Sequence, residues 1–207
     1  MAQPYDVFQE GLIRGAERLS YSPHKQYFYV EHPTEGWRVY LRAACFIHQL
    51  YKPFQPAKFL VVKRTGGDPE KATWEPPKGQ MEGRDGSNRP IMQLLKENIK
   101  REVDEEAKIN FIRDLNHTGL ILQDVEPDFP PNTFFQYHVF SGYAHPQQIQ
   151  KAFEEFDWIA ANKEEFMRLR SDKREKDAIA WYDPTKKMMG RWSPSLLKMY
   201  FDLYKFK

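Results

Sequence analysis

The sequence predicts the α/β class, of the α+β type, with a mixed β-sheet sandwiched between helices. Two observations predict it: aromatic and β-branched runs are typical of strands, and an amphipathic helical pattern interrupts them between residues 91 and 107. The chain has 207 residues, 41% of them hydrophobic, which is enough for a buried core in one domain. A wholly disordered chain is therefore excluded.

Several segments have the composition of strands and are bounded by Pro or Gly. They are residues 37–51, 58–65, 74–79, 115–123, 133–144 and 178–182. The first two are joined by a short connection with Pro53 and Pro56, which predicts a hairpin or meander. Residues 74–79 are expected to be extended, because Pro76 and Pro77 are incompatible with a helix interior.

Three segments have helical character. Apolar residues fall at positions 91, 94, 95, 99 and 103, a three-and-four spacing that predicts one buried stripe, with Pro90 in the first turn. Residues 149–170 and a C-terminal segment that begins at Ser193 are also predicted to be helical. Residues 1–36 show no sustained period and are expected to form an N-terminal extension packed on the core of a domain comprising residues 37–207.

Charge and cysteine content limit the partners and the compartment. The net charge of +2 is too small to indicate duplex nucleic acid or an anionic membrane as the main partner. Cys45 is the only cysteine, so an intramolecular disulfide and a cysteine-rich zinc site are excluded. With no long apolar run and no secretory signal pattern, the sequence predicts an intracellular, cytoplasmic protein without a membrane partner. The oligomeric state is left open.

The segment REVDEEAKI, residues 101–109, carries the chemistry. At about 100° per residue, Glu102, Glu105 and Glu106 occupy one arc of roughly 100° on the helix. Three carboxylates within one turn repel each other, and together they provide the oxygen ligands that Mg²⁺ requires. An acidic triplet can also be a solvated helix face, so the residues upstream decide between these interpretations.

Those upstream residues are Pro76-Pro77-Lys78-Gly79, and the segment from Trp74 to Ile109 resembles the Nudix box of the Nudix pyrophosphohydrolases. Gly79 occupies the first glycine position, and Arg101-Glu102-Val103-Asp104-Glu105-Glu106 matches the second half of the box in full. Asp85 stands in place of the first box Glu.

The box departs from the family pattern in spacing and at one glycine. Fifteen residues separate Asp85 from Arg101 where the family has seven, and counting back without a gap places Gln93 in the Glu position. Lys108 replaces a glycine that helps the chain leave the helix. Because lysine is uncommon in the left-handed conformation, a different helix end is expected.

The resemblance implies a Nudix fold with N- and C-terminal extensions and a divalent cofactor, Mg²⁺ or Mn²⁺. The metal ligands it implies are Glu102, Glu105, Glu106 and the Gly79 carbonyl. It also implies that Arg101 is a catalytic residue that orients the carboxylates, and that Glu105 or Glu106 is the base that takes the proton from water. Lys78, Lys63 and Arg64 are candidate substrate contacts, with ordinary solvated charges as the alternative.

The lead-in WEPPKGQMEG is similar to that of two Nudix groups, the diadenosine tetraphosphate hydrolases and the mRNA decapping enzymes. A nucleotide or capped-RNA substrate is therefore expected. Residues 163–191 carry three more basic than acidic side chains, which suits an RNA body but also an ordinary charged surface. The alternative function is a Nudix-fold module with little turnover that binds RNA or takes part in an assembly such as the ribosome.

The family often adds a carboxylate from beyond the box. Asp124, Glu126 and Asp128 lie in a linker where such a residue is expected, and the sequence does not choose among them.

Overall fold

The computed structural model describes residues 3–20, 22–83 and 88–205, which form nine strands and four α-helices. The strands are β1 (Ile13–Leu19), β2 (Ser22–Glu31), β3 (Arg38–Gln49), β4 (Leu60–Arg64), β5 (Trp74–Glu75), β6 (Lys78–Gln80), β7 (Arg113–Asp124), β8 (Thr133–Ala144) and β9 (Lys176–Trp181). The helices are α1 (Ile91–Ala107), α2 (Pro146–Ala161), α3 (Lys163–Arg168) and α4 (Trp192–Tyr204). A short 3₁₀ turn, Ser171–Lys173, precedes β9.

The strands form two sheets. The larger one has the order β1-β2-β3-β8-β7, with β6 also paired to β3, and the smaller one has the order β5-β4-β9. Strands β3 and β8 run parallel, whereas the other pairs are antiparallel. The expected hairpin between β3 and β4 is wrong. Both edges of β3 are already paired, one with β8 and the other with β2 and β6, so β4 pairs elsewhere.

Strand β3 is buried on both faces, which explains why its sequence is almost continuously apolar. Leu41, Ala43 and Cys45 face a core shared with α1 and α2. Ala44 and Phe46 face a second core closed by α4, where the rings of Phe46 and Tyr200 stack at 3.8 Å between centroids. Residues of β4 divide between the same two cores. The sheets therefore lie between helices, which confirms the predicted α+β class.

Two local differences from the sequence prediction have physical causes. Strands β1 and β2 lie within residues 1–36, where no strand period is visible, and β2 extends the sheet by pairing with β3. The helix expected over residues 149–170 divides at Asn162, whose ψ of 46° leaves the helical range and separates α2 from α3. Among the described residues, no helix is both long and apolar enough to cross a membrane.

Candidate active site at the end of helix α1

Helix α1 carries two buried carboxylates beside its apolar stripe. Ile99 and Val103 are fully buried in the core, while Glu102 and Glu106 are only 9% and 4% exposed. Since these glutamates are four residues apart, their side chains stack on one face of the helix. The helix begins after Pro90 and ends at Ala107, as the apolar spacing predicted.

Gly79 lies directly against the Glu102 carboxyl group. It belongs to β6 and pairs with Ala43 of β3. A Cβ atom at Gly79 would lie 2.0 Å from Cδ of Glu102, far inside van der Waals contact. Only glycine therefore allows the strand and the carboxylate to approach this closely, which brings the two ends of the box together.

The C-terminal end of α1 is strained at Lys108. This residue has φ 59° and ψ 31°, the left-handed conformation, and its backbone N–H donates to the carbonyl of Asp104. The expectation that lysine would change the helix end is wrong, because the chain leaves the helix in the geometry that glycine favours. The Lys108 ammonium donates to the Glu105 carbonyl at 2.9 Å, which offsets part of the cost.

Glu106 is held by an ion cluster that also contains Glu75, Lys78 and Lys176. Its Oε1 lies 2.7 Å from the Lys176 ammonium, and its Oε2 accepts from the backbone N–H of Lys78 at 2.9 Å. Lys176 also binds Oε1 of Glu75, and the Lys78 ammonium lies 2.8 Å from Oε2 of Glu75. Two carboxylates and two ammonium groups thus balance each other, and Glu75 and Lys176 are only 1% and 7% exposed.

The electrostatic environments of these carboxylates differ. Burial, together with the charges of Glu106 and Glu105, raises the pKa of Glu102 to about 8, and nearby Arg101 offsets only part of this. Burial alone would also raise the pKa of Glu75, but Lys78 and Lys176 lower it to about 2. Burial raises the pKa of Glu106 as well, and Lys176 and Lys78 offset only part of this, so Glu102 and Glu106 both lie where the charged carboxylate is disfavoured.

Arg101 connects the carboxylates on the outer side of the helix. Its guanidinium lies 3.0 Å from Glu102 and 3.5 Å from Glu105, and it donates to the Asn98 side-chain oxygen at 2.7 Å. Oε1 of Glu82, in the loop after β6, is 3.9 Å away. These contacts fit the orienting role that the family resemblance implies for Arg101.

A pocket of about 710 Å³ opens beside Glu106. Its wall combines charged groups with the side chains of Tyr27, Met167 and Met189. The charged lining residues are Arg64, Glu75, Lys78, Glu106, Arg174, Glu175 and Lys176. The pocket is thus a polar cleft with a small apolar side, large enough for a nucleotide-sized ligand.

The three candidate substrate contacts have different positions. Arg64 lines the pocket and is exposed. Lys78 also lines it, but its ammonium is bound to Glu75. Lys63 is buried, with its ammonium 2.5 Å from Asp177 and 2.8 Å from the Gly67 carbonyl, and it does not line the pocket. The structure therefore brings Arg64 and Lys78 to the cleft and leaves Lys63 outside it.

The linker acids are not brought to the cleft. Glu126 pairs with Arg42 at 3.1 Å, and Asp124 pairs with Arg191 at 3.4 Å. None of Asp124, Glu126 and Asp128 lines the pocket. Asp85 lies outside the described residues. The alternative box position, Gln93, is on the first turn of α1 and donates to Glu97.

Sequence reasoning did not assign four charged pocket residues to the site: Glu75, Arg174, Glu175 and Lys176. The last three precede or begin β9, which pairs with β4 so that Lys176 faces Arg64. A strand was predicted here from residue 178, two residues too late to include Lys176. Glu75 could have been found from its position directly before the two prolines of the box.

The carboxylates at the end of α1 offer oxygen ligands to a hard divalent cation, but a lysine ammonium already binds one of them. In the described part of the chain, no group of three or more His, Cys, Asp and Glu side chains is clustered closely enough to hold a metal by itself. The contact of Gly79 with the underneutralised Glu102 fits a cation site. At Glu106, the Lys176 ammonium already acts as the cation. The carboxylates of Glu102 and Glu106 therefore fit a divalent ion, provided that the ion takes the place of the Lys176 ammonium at Glu106.

Comparison with solved structures returned proteins of similar layout at low identity. They include a Nudix hydrolase from Nitrosomonas europaea, with 17% identity, a TM-score of 0.44, and coverage of 79% of this chain and 88% of that one. A MutT/Nudix family protein from Listeria innocua has 17% identity and a TM-score of 0.42, covering 79% and 92%. The ORF135 protein of E. coli has 14% identity and a TM-score of 0.47, covering 85% and 98%.

No protein-family model and no curated protein sequence matches the chain. Two of these three solved structures carry the Nudix name, the family that the box residues resemble.

Proposed function

We propose that this chain is a divalent-metal-dependent Nudix pyrophosphohydrolase. Its substrate would be a nucleoside diphosphate linked to another moiety, with a dinucleoside polyphosphate or an mRNA cap preferred. One observation carries the proposal: α1 buries Glu102 and Glu106 one turn apart, with Gly79 packed on the first and a pocket of about 710 Å³ beside the second. Burying carboxylates this way disfavours their charged form, so a structural role alone does not account for them.

Glu102, Glu106 and the Gly79 carbonyl would hold Mg²⁺ or Mn²⁺, with Glu105 beside them. Such an ion, when bound, neutralises a diphosphate and makes a bound water more acidic. Arg101 would keep the carboxylates of Glu102 and Glu105 in place through the contacts described above. Glu106 lines the pocket whereas Glu105 does not, which favours Glu106 as the group that takes the proton from the attacking water.

Two arginines support a substrate with several negative charges. Among the described residues, neither Arg64 nor Arg174 has a carboxylate partner, although both line the pocket. Nε of Arg174 is buried without a hydrogen-bond partner, and its Nη1 makes only a 3.8 Å contact with the Met167 sulfur. One guanidinium group can donate two parallel hydrogen bonds to the oxygens of a phosphate. Arg64 and Arg174 would therefore hold phosphates or an RNA backbone beyond the cleaved bond.

The experiment that tests the proposal is hydrolysis of a small panel with Mg²⁺, with Mn²⁺ and with a chelator. The panel contains diadenosine tetraphosphate, capped RNA, the free cap dinucleotide, ADP-ribose and a diphosphoinositol phosphate. Metal-dependent cleavage of one compound is the expected result and would name the substrate class. Arg174→Ala should raise KM about tenfold with little change in kcat, since it removes a binding contact, whereas Lys151→Ala on the exposed face of α2 should change neither.

A second candidate is a binding or assembly module that uses the same fold without turnover. The neutral cluster around Glu106 favours it, because Lys176 occupies one oxygen of the carboxylate that a metal would need. Folded protein that cleaves none of the panel under any metal condition, yet binds RNA in the presence of chelator, would support this candidate and contradict the hydrolase.

A further inference from the structure

Lys176 is an internal cation placed among the carboxylates of the site. It enters from β9, which pairs with β4 rather than with any part of the box, and its side chain is only 7% exposed. The ammonium contacts Glu106 at 2.7 Å and also binds Glu75. Both contacts bring the ammonium against a carboxylate that is itself buried, since Glu75 and Glu106 are only 1% and 4% exposed.

Lys78 does not duplicate this contact. Its ammonium is bound to the far oxygen of Glu75, and only its backbone N–H reaches Glu106. Lys176 is therefore the side chain whose ammonium neutralises Glu106 in the described structure. Without it, the cluster would hold two carboxylates and one ammonium, with a net negative charge next to Glu102.

We propose that Lys176 competes with the divalent cation for Glu106 and so lowers the affinity of this site for metal. It is a positioning residue: in the metal-free protein it holds the Glu106 carboxylate in place, and the ion binds only when the Glu106–ammonium contact is given up. The inference rests on the proposed function, because that proposal assigns Glu106 to the metal.

The test is the binding of Mn²⁺ alone, measured by the paramagnetic resonance signal of the free ion in the absence of substrate. Lys176→Gln removes the charge while keeping a hydrogen-bond donor, and should bind Mn²⁺ about tenfold more tightly than the wild-type protein. Lys176→Arg keeps the charge and should not gain affinity. Lys63→Gln is the matched control: it removes a buried lysine that pairs with Asp177, outside the cluster, and should leave Mn²⁺ binding unchanged.

Equal Mn²⁺ affinity in the wild-type protein and Lys176→Gln would overturn the inference, as would a gain of the same size in Lys63→Gln. If Lys176→Gln does not fold, Lys176→Met, which has a similar side-chain volume, takes its place. The rise in unfolding temperature that Mn²⁺ produces is then compared between Lys176→Met and the wild-type protein. The larger rise is expected in the variant, and equal rises would contradict the competition. Metal-dependent hydrolysis combined with equal affinities would refute the role of Lys176 and leave the proposed function standing. Absence of Mn²⁺ binding in every variant would refute both.

Discussion

Replacing Glu102 with glutamine should separate stability from function. The carboxyl group is buried against Gly79, and it lies near the charges of Glu105 and Glu106. Glutamine has nearly the same shape but carries no charge, so it keeps the packing and removes the repulsion. We expect Glu102→Gln to be at least as stable as the wild-type protein in chelator, while turnover falls by about 100-fold or more because a metal ligand is lost.

The size of the effect follows from the pKa of Glu102. The folded protein keeps the proton up to about pH 8, whereas the unfolded chain releases it near the usual value of 4.5. Below pH 4.5 the group is neutral in both states, so wild type and variant are equally stable. As the pH rises from 4.5 to 8, the wild-type protein loses stability relative to the variant, to a limit of about 5 kcal/mol. Water entering the pocket makes this an upper bound.

The assay is urea unfolding monitored by tryptophan fluorescence at several pH values between 5 and 9. Each series is measured once with chelator and once with Mn²⁺. The difference in free energy of unfolding between Glu102→Gln and wild type should grow with pH in chelator, and it should shrink in Mn²⁺ because the cation stabilises the charged form. Glu105→Gln is the control: this side chain lies on the same turn but is 32% exposed, so its difference should stay within about 0.5 kcal/mol. A difference for Glu102→Gln that does not change with pH would refute the reasoning.

Two glycine substitutions test the geometry of the box. Gly79→Ala should cost about 1–3 kcal/mol and also abolish most turnover, because the new Cβ displaces the Glu102 carboxylate. Gly142 lies in β8, and a Cβ atom there would lie 2.5 Å from Cγ2 of Ile112. Gly142→Ala should therefore cost a similar amount in urea unfolding but leave turnover intact; equal losses of turnover would contradict the placement of Gly79. Lys108→Gly should raise the free energy of unfolding by about 0.5–1 kcal/mol by relieving the left-handed strain, and a loss of stability would be inconsistent with that helix end.

The parts of the fold that sequence reasoning predicted well are those with a local signal. Helix α1 has both a start at Pro90 and an apolar stripe, and its bounds are those predicted. Strand β8 was likewise predicted over residues 133–144, between a proline-rich linker and Pro146. In each case the pattern that marks the element is contained within the element itself.

The parts that were missed depend on pairing across the chain. Strands β1 and β2 have a weak period of their own and are stabilised by contact with each other and with β3. The hairpin of β3 with β4 was wrong because β8, about a hundred residues away in sequence, pairs with β3 along its whole length. Lys176 reaches Glu106 for the same reason, since β9 pairs with β4. A single sequence contains no direct signal for such non-local partners.

The unfavourable features of this chain are concentrated at one end of α1. Glu102 is buried where its charged form is unfavourable, Glu106 is paired with a buried lysine, and Lys108 adopts a conformation that favours glycine. An uncharged residue at 102 and a glycine at 108 would each make the protein more stable, so packing does not explain these choices. A module that only binds through its surface would gain nothing from keeping Glu102 and Glu106 buried one turn apart at the edge of a cleft that Glu106 lines. The proposed hydrolase would use both acids as metal ligands, which is why it is preferred over the binding module.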